Sequence, residues 1–425
     1  MVNFYHGHRV IAERCTGDLT CMRHCPTEAI RIRKGIARIL DEACIDCGEC
    51  IRVCRRGAMV PITDSVSGST QTRFKYKVAI PSSVLYAQFD PGIHPYLVHL
   101  ALQRLGFHEV IDLHRASSTL ANALFRYLRQ YHGRLPLISS YCPTIVRLVQ
   151  VKYPDLVELL VPIEVPRELA AWEARREIQA RLGLDEHEIG IFYIAPCSAK
   201  IVSIRQPAEK ARSWFDGVVS IKDAYSVLHP HVALLKQDFD PRQVPNDFTF
   251  NPGSERSDCL TKLDQAQNVL AVAGLNDVMQ ILDDIENSRL RNIEFIEATA
   301  HMMGCLGGPF NVENPYVARA NSQKQRERYG RPVTVDEATV ERRLAQGHYF
   351  QERAVPPRPL RFFDTDLETS IKRMQERDRI YGKLRQIDCG CCGAPTCLAF
   401  AEDVVRGEVD VTDCIFLARE AAERG

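Results

Sequence analysis

Six short apolar runs mark the middle of the chain: "KYKVAIP", "EVIDL", "LPLISS", "GIFYIAP", "NVLAVAG" and "IEFIEA". Their length and near-continuous hydrophobicity read as buried strands. Between several of them lie segments such as "HPYLVHLALQRLG" and "STLANALFRYLRQY", whose apolar residues recur every three or four positions, the period of a helix with one buried face. The alternation predicts an α/β architecture with mostly parallel sheets covered on both faces. Near the C-terminus, "DLETSIKRMQERDRIYGKLRQI" places Leu367, Ile371, Met374, Tyr381 and Leu384 at helical spacing opposite a charged face. This reads as a helix docking the last segment onto the central body, with an exposed linker helix as the alternative. "DSVSGSTQTR" and "ERAVPPRPLRFF" read as boundaries. Three segments follow: 1–63, 74–352, and 366–425, the last a helix plus a small domain.

At 425 residues the chain is long enough for two to four domains at about 150 residues each. Its 54 basic and 54 acidic residues cancel, which argues against a field-driven nucleic-acid binder. No window approaches the roughly 18 apolar residues of a membrane span. The opening "MVNFYHGHRVIAERC" has no apolar signal-peptide core, so a cytoplasmic protein is the expectation.

Cysteine changes the picture. There are sixteen: seven from Cys15 to Cys54, five from Cys389 to Cys414, and Cys142, Cys197, Cys259 and Cys305 singly. Disulfides are not expected in a reducing compartment, and short fixed gaps are the habit of metal sites. "CIDCGECIRVC" sets Cys44, Cys47, Cys50 and Cys54 in the spacing of a bacterial ferredoxin [4Fe–4S] cluster. "CTGDLTCMRHCP" repeats the register with Cys15, Cys21 and Cys25, but Asp18 stands at the second position. In such a repeat the last cysteine of each run serves the other cluster. Cys44, Cys47, Cys50 and Cys25 then hold one cluster. Cys15, Cys21 and Cys54 hold the other, completed by Asp18, by solvent, or left as a [3Fe–4S] form. Zinc is the competing reading of the runs, and a simple turn former is the competing reading of Asp18.

"DCGCCGAPTCLAFAEDVVRGEVDVTDC" spaces Cys389, Cys392, Cys397 and Cys414 for a third cluster, with a helix that turns at Gly407 to bring Cys414 back. It resembles the single-cluster [4Fe–4S] domain of corrinoid iron–sulfur proteins and membrane-coupled ferredoxin oxidoreductases. Cys391 falls off the pattern and reads as a bystander.

Cys142, Cys197 and Cys305 each follow one of the apolar runs, where α/β folds bind ligands. A single buried cysteine is usually a small hydrophobe; three at equivalent strand ends suggest convergence. "SSYCP", "APCSAK" and "GCLGGP" resemble, in chain order, the three signature loops of the [FeFe]-hydrogenase (iron-only hydrogenase) catalytic domain. With the flanking cluster motifs, the chain is similar to the sensory branch of that superfamily. The resemblance implies a two-lobed hydrogenase-like core of parallel sheets with helices. It is flanked by an α+β bacterial-type ferredoxin domain and a small α-rich 4Fe-4S domain. It also implies a central [4Fe–4S] cluster, bridged through Cys305 to a diiron unit, with Lys200 beside the cyanide of that unit.

The departures are specific. His301 stands where the fourth cluster cysteine is expected, and reads as an iron ligand, a supporting residue or a solvent-facing one. Cys259 reads as a substitute ligand or a spare core thiol. Tyr141 replaces the proton-relay thiol, Ser203 the second-loop glutamate, and Met302 and Met303 a Pro-Gly pair, either facing the cofactor or filling the core. Lys200 has the plainer reading of a surface lysine at a helix start. A phenol with pKa near 10 exchanges protons poorly at neutral pH beside a thiol near 8.5. Tyr141 therefore suits binding or slow turnover of H2 better than fast catalysis. The expected protein is a hydrogen-sensing redox protein of anaerobic chemistry, with electron relay to a ferredoxin or flavoprotein. Competing readings are an electron-transfer protein lacking the diiron unit and, less consistent with the compact bacterial-type modules, a cluster-assembly factor.

Overall fold

The computed structural model describes residues 4–66, 73–246, 248–251, 268–331, 333–359 and 366–424. Cys259 lies outside the described residues, as do parts of both boundary stretches. The chain forms two compact units: residues 1–61 with 358–425, and residues 62–357. The first and last segments thus belong to one body.

In that first unit, β1 (His8–Val10) and β4 (Met59–Pro61) pair antiparallel, as do β2 (Ile30–Arg33) and β3 (Ile36–Ile39). Two short helices, Thr20–Arg23 and Glu49–Val53, follow the two cysteine loops. Met22, Ile30, Ile32, Ala37 and Met59 pack with Cys21 and Cys50, so the thiols sit inside the small core. The C-terminal part adds helices Leu367–Tyr381, Cys397–Val405 and Ile415–Arg424. Helix Cys397–Val405 ends as expected: Gly407 has a φ of 75°, the left-handed turn that glycine adopts freely.

Helix Leu367–Tyr381 forms over the expected helical spacing. It falls in the unit built from the two termini, and its Ile380 packs with Leu384, Ala399 and Phe400 of its own segment. Ile371 and Met374 are exposed, while Ile380 at the C-terminal end of the helix is buried. The reason is local: Phe400 on the neighbouring helix reaches that end and covers it.

The second unit holds two parallel sheets. One has the order β6 (Glu109–Val110), β5 (Tyr76–Pro81), β8 (Ile189–Ala195), β9 (Gly217–Ser220). The other has the order β10 (Val269–Ala273), β11 (Phe295–Thr299), β7 (Leu137–Ile138). Every pairing among these strands is parallel. Every residue of β8 is buried, the signature of a central strand covered on both faces. All six apolar runs contain a strand. The runs at 109–113 and 135–140 form only two-residue strands, because each lies at a sheet edge and leaves the ladder early. Strand β9, "GVVS", is too short for periodicity to reveal.

Candidate metal centres

Cys25, Cys44, Cys47 and Cys50 line one pocket, together with His8, Thr27 and Gly48. Burial pushes all four thiols up, and Cys25 contributes to raising Cys44, Cys47 and Cys50. Burying several thiols against one another is unfavourable unless a cation draws them together as thiolates. The donor set therefore fits a cluster. Cys21 is pushed up to about 11, by burial first and then by Cys15 and Cys54, with Asp18 adding to the effect. Cys21 thus lies near Cys15 and Cys54. Asp18 is close enough to act on Cys21, and it also forms the turn, accepting from the Thr20 N–H at 3.1 Å.

The duplication extends to hydrogen bonds. Ala29 N donates to Cys25 Sγ and Ala58 N to Cys54 Sγ, each at 3.2 Å and each from four residues downstream. Ala37 N donates to Cys15 Sγ at 3.4 Å. Such N–H donors stabilise charge on cluster sulfurs and raise reduction potentials. Sequence reasoning missed the buried Asp46, which accepts from Gly7 N at 3.0 Å and pairs with His6 and His8. Its signal was position alone, between two ligand cysteines.

At the other end, Cys389, Cys391, Cys392, Cys397 and Cys414 line a pocket with Phe400 and Ile415. Burial raises the Cys392 thiol, followed by Cys389 and Cys414. Cys391 borders this pocket but is exposed.

The central site is built on strand ends. Cys142 immediately precedes helix Pro143–Lys152, and Cys197 immediately precedes helix Ser198–Arg205. Helix N-termini favour thiolate charge. Cys305 sits in the single-turn helix Gly304–Gly307 that follows β11. Gly308 lets this loop close on the second one, and Gly307 lets it fold tightly on itself. A Cβ on Gly308 would lie 2.4 Å from the Pro196 carbonyl oxygen, and one on Gly307 would lie 2.0 Å from that of Met302. Phe310 N completes the approach, donating to Pro196 O at 3.0 Å. Asn311, which the motif reading missed, donates through Nδ2 to the Cys305 and Leu306 carbonyls, both at 2.8 Å.

Lys200 is not a surface lysine. Its side chain is 2% exposed, and Nζ donates to Cys305 Sγ at 3.5 Å and to Tyr193 Oη at 3.2 Å. Nζ also lies 5.4 Å from the centre of the Tyr141 ring and 5.7 Å from that of Tyr193. Aromatic faces stabilise a desolvated cation. Cys197 is pushed up to about 12 by burial, which outweighs the lowering by Lys200; Cys305 and Cys142 raise it further. The three scattered thiols, the lysine and Tyr141 are therefore one constellation. A buried cation beside convergent thiols fits an anionic metal group.

His301 is half-buried on the turn before the Cys305 helix, its carbonyl accepting from Gly304 N at 2.9 Å. Met302 is 54% exposed and is no core filler; it lies over Gly274, whose lack of a side chain makes the room. Met303 is half-buried, with Sδ 3.4 Å from Arg319 Nη1. Ser203 accepts from buried Arg167 Nη2 and donates to the Lys200 carbonyl, both at 3.0 Å, so a hydroxyl takes the expected carboxylate's place.

Three family models match the chain. They are the C-terminal domain of the iron only hydrogenase large subunit, over residues 78–257; a 4Fe-4S dicluster domain over residues 8–55; and an Fe-S cluster model over residues 384–416. The NADP-reducing hydrogenase subunit HndD of Solidesulfovibrio fructosivorans is 24% identical over 196 residues, 40% of this chain and 32% of that protein. Iron hydrogenase 1 of Clostridium pasteurianum is 22% identical over 201 residues, 47% of this chain and 34% of that protein. The chain thus spans about a third of the length of these curated relatives. A solved variant of the [FeFe]-hydrogenase HydA1 from Chlamydomonas reinhardtii aligns over 70% of this chain and 97% of its own, at 14% identity and a TM-score of 0.48.

Proposed function

We propose that the chain, which matches the C-terminal domain of the iron only hydrogenase large subunit between matches to a 4Fe-4S dicluster domain and an Fe-S cluster domain, is a hydrogen-responsive redox protein. In this reading Cys142, Cys197, Cys305 and His301 would hold the central cluster. A diiron unit beside Cys305 would supply the chemistry that binds and cleaves H2. The carrying observation is Lys200, buried with its Nζ on Cys305 Sγ and on Tyr193 Oη. A desolvated ammonium attracts negative charge far more strongly than one in water, and an anionic metal group on Cys305 would sit within its reach.

The surrounding residues favour sensing over rapid turnover. Tyr141 and Tyr193 shield the cation, and a phenol is in general a poorer proton relay at neutral pH than a thiol. Ser203 is held between a guanidinium and a backbone carbonyl, and its hydroxyl carries no acidic proton to pass onward. Enzymatic activity, if measured, is that of a slow ferredoxin-type hydrogenase. Electrons pass through ferredoxin-type clusters to a ferredoxin or flavoprotein in the cytoplasm.

Infrared spectroscopy after anaerobic maturation tests this. Bands of metal-bound CO and cyanide, shifting on exposure to H2, are the expected result. About fifteen or sixteen irons per chain without such bands would overturn the diiron reading. The chain would then be an electron-transfer protein on the hydrogenase scaffold.

A further inference from the structure

The unit built from the two chain termini brings the C-terminal cysteine loop onto the loop of Cys21. Ile32 N donates to Gly393 O at 2.8 Å, and a Cβ on Gly393 would lie 1.9 Å from the Ile32 carbonyl oxygen. Only glycine permits that approach, and its φ of 76° points the same way. A Cβ on Gly390 would stand 3.1 Å from Met22 Cε and 3.7 Å from Leu19 Cδ1. Met22 directly follows Cys21 and is buried.

Charge holds the same seam. Arg23 Nη2 donates to the Cys389 carbonyl at 3.1 Å. Arg33 Nη1 donates to the Cys392 and Gly393 carbonyls at 3.2 and 3.0 Å. Arg31 Nε and Arg33 Nη2 both reach Asp403, which is fully buried on the helix that starts at Cys397. Thr396 Oγ1 donates to Glu28 Oε2 at 3.1 Å. The contact therefore joins the C-terminal cysteine loop to the helix that carries Cys21 and to strand β2.

We infer that the C-terminal cluster is the internal electron partner of the cluster at Cys15, Cys21 and Cys54, across the Met22–Gly390 contact. One electron moves per step: the donor cluster is oxidised by one and the acceptor reduced by one. The wire then runs from the C-terminal cluster, through the Asp18-side cluster, to the four-cysteine cluster of Cys25, Cys44, Cys47 and Cys50. Arg23 and Arg33 are positioning residues whose charge favours the reduced, more negative C-terminal cluster. The inference rests on the terminal clusters of the proposed function and not on the diiron unit, so missing CO and cyanide bands leave it standing.

The test uses the full chain, reconstituted anaerobically, titrated with dithionite as the one-electron donor and followed by electron paramagnetic resonance. The Asp18-side signal is expected to be broadened by its C-terminal neighbour. Cys392→Ser should remove that broadening together with about four irons. Gly393→Val should keep the iron and lose the broadening. Arg33→Gln should keep both but shift the C-terminal midpoint potential to a more negative value, a readout that survives if Gly393→Val fails to load iron. An Asp18-side signal of identical width in wild type and Cys392→Ser would overturn the inference. So would an unchanged potential in Arg33→Gln.

Discussion

Replacing Lys200 by methionine removes a charge and leaves an unbranched chain of similar length. Nζ lies 3.5 Å from Cys305 Sγ, behind a side chain almost closed to solvent. At an effective dielectric of about 20, a unit charge pair at that distance is worth about 5 kcal/mol. An iron–sulfur cluster spreads its negative charge over several sulfurs, so about half of that, roughly 2–3 kcal/mol, is expected at the site. The Lys200→Met chain should therefore hold the proposed central cluster about 30- to 150-fold more weakly. The apoprotein should behave oppositely. A buried ammonium replaced by a packed apolar chain is often neutral or stabilising, so the urea midpoint should hold or rise. The assay titrates ferrous iron and sulfide anaerobically into both proteins and counts iron per chain, with the terminal clusters as internal reference. Unchanged central iron together with an apoprotein destabilised by about 3 kcal/mol or more would refute the reasoning. Lys200 would then be a packing residue that happens to lie near a thiol.

Asp403→Asn leaves the buried Arg31 and the partly buried Arg33 without their anion, and should cost the terminal unit about 3–5 kcal/mol in urea unfolding. Combining Arg31→Met, Arg33→Met and Asp403→Leu should recover most of it. His99 is pushed down to about 3, first by burial and then by His94, and its Nε2 lies 2.7 Å from Tyr86 Oη. Its unfolded value is near 6.5, so this stabilisation is complete above pH 6.5 and fades as pH falls toward 3. The loss amounts to about 4–5 kcal/mol, and His99→Gln should flatten that limb of the stability–pH curve. Cys391→Ser should retain all cluster iron while Cys392→Ser loses about four atoms; equal losses would make Cys391 a ligand. Asp18→Cys should convert any [3Fe–4S] signal to that of a [4Fe–4S] cluster, and an unaltered spectrum would leave Asp18 as only a turn former.

Ligand spacing was legible because it is local. Runs such as Cys44-x2-Cys47-x2-Cys50 constrain themselves within a few residues of chain, and the repeat with Cys15, Cys21 and Cys25 announces its own pairing. The six apolar runs were legible for a related reason: a strand buried on both faces needs no partner to be named before its composition shows it. Gly307 and Gly308 stand in the quoted third loop, but the carbonyls they make room for do not show in the sequence.

What the sequence could not decide is what distant charge and bulk surround each local motif. Lys200 has the same four-residue context whether it faces water or a thiol; burial beneath Tyr141 and Tyr193 makes it part of the site. Arg31 and Asp403 are separated by 372 positions, and nothing periodic links them. Helix Leu367–Tyr381 carries an apolar stripe that fits several neighbours, and the packing around Phe400 selects the one in its own segment. Local spacing encodes which atoms can grip a metal, because the chain between them is short. Burial and ion pairing depend on every element that excludes water, so only the folded chain settles them.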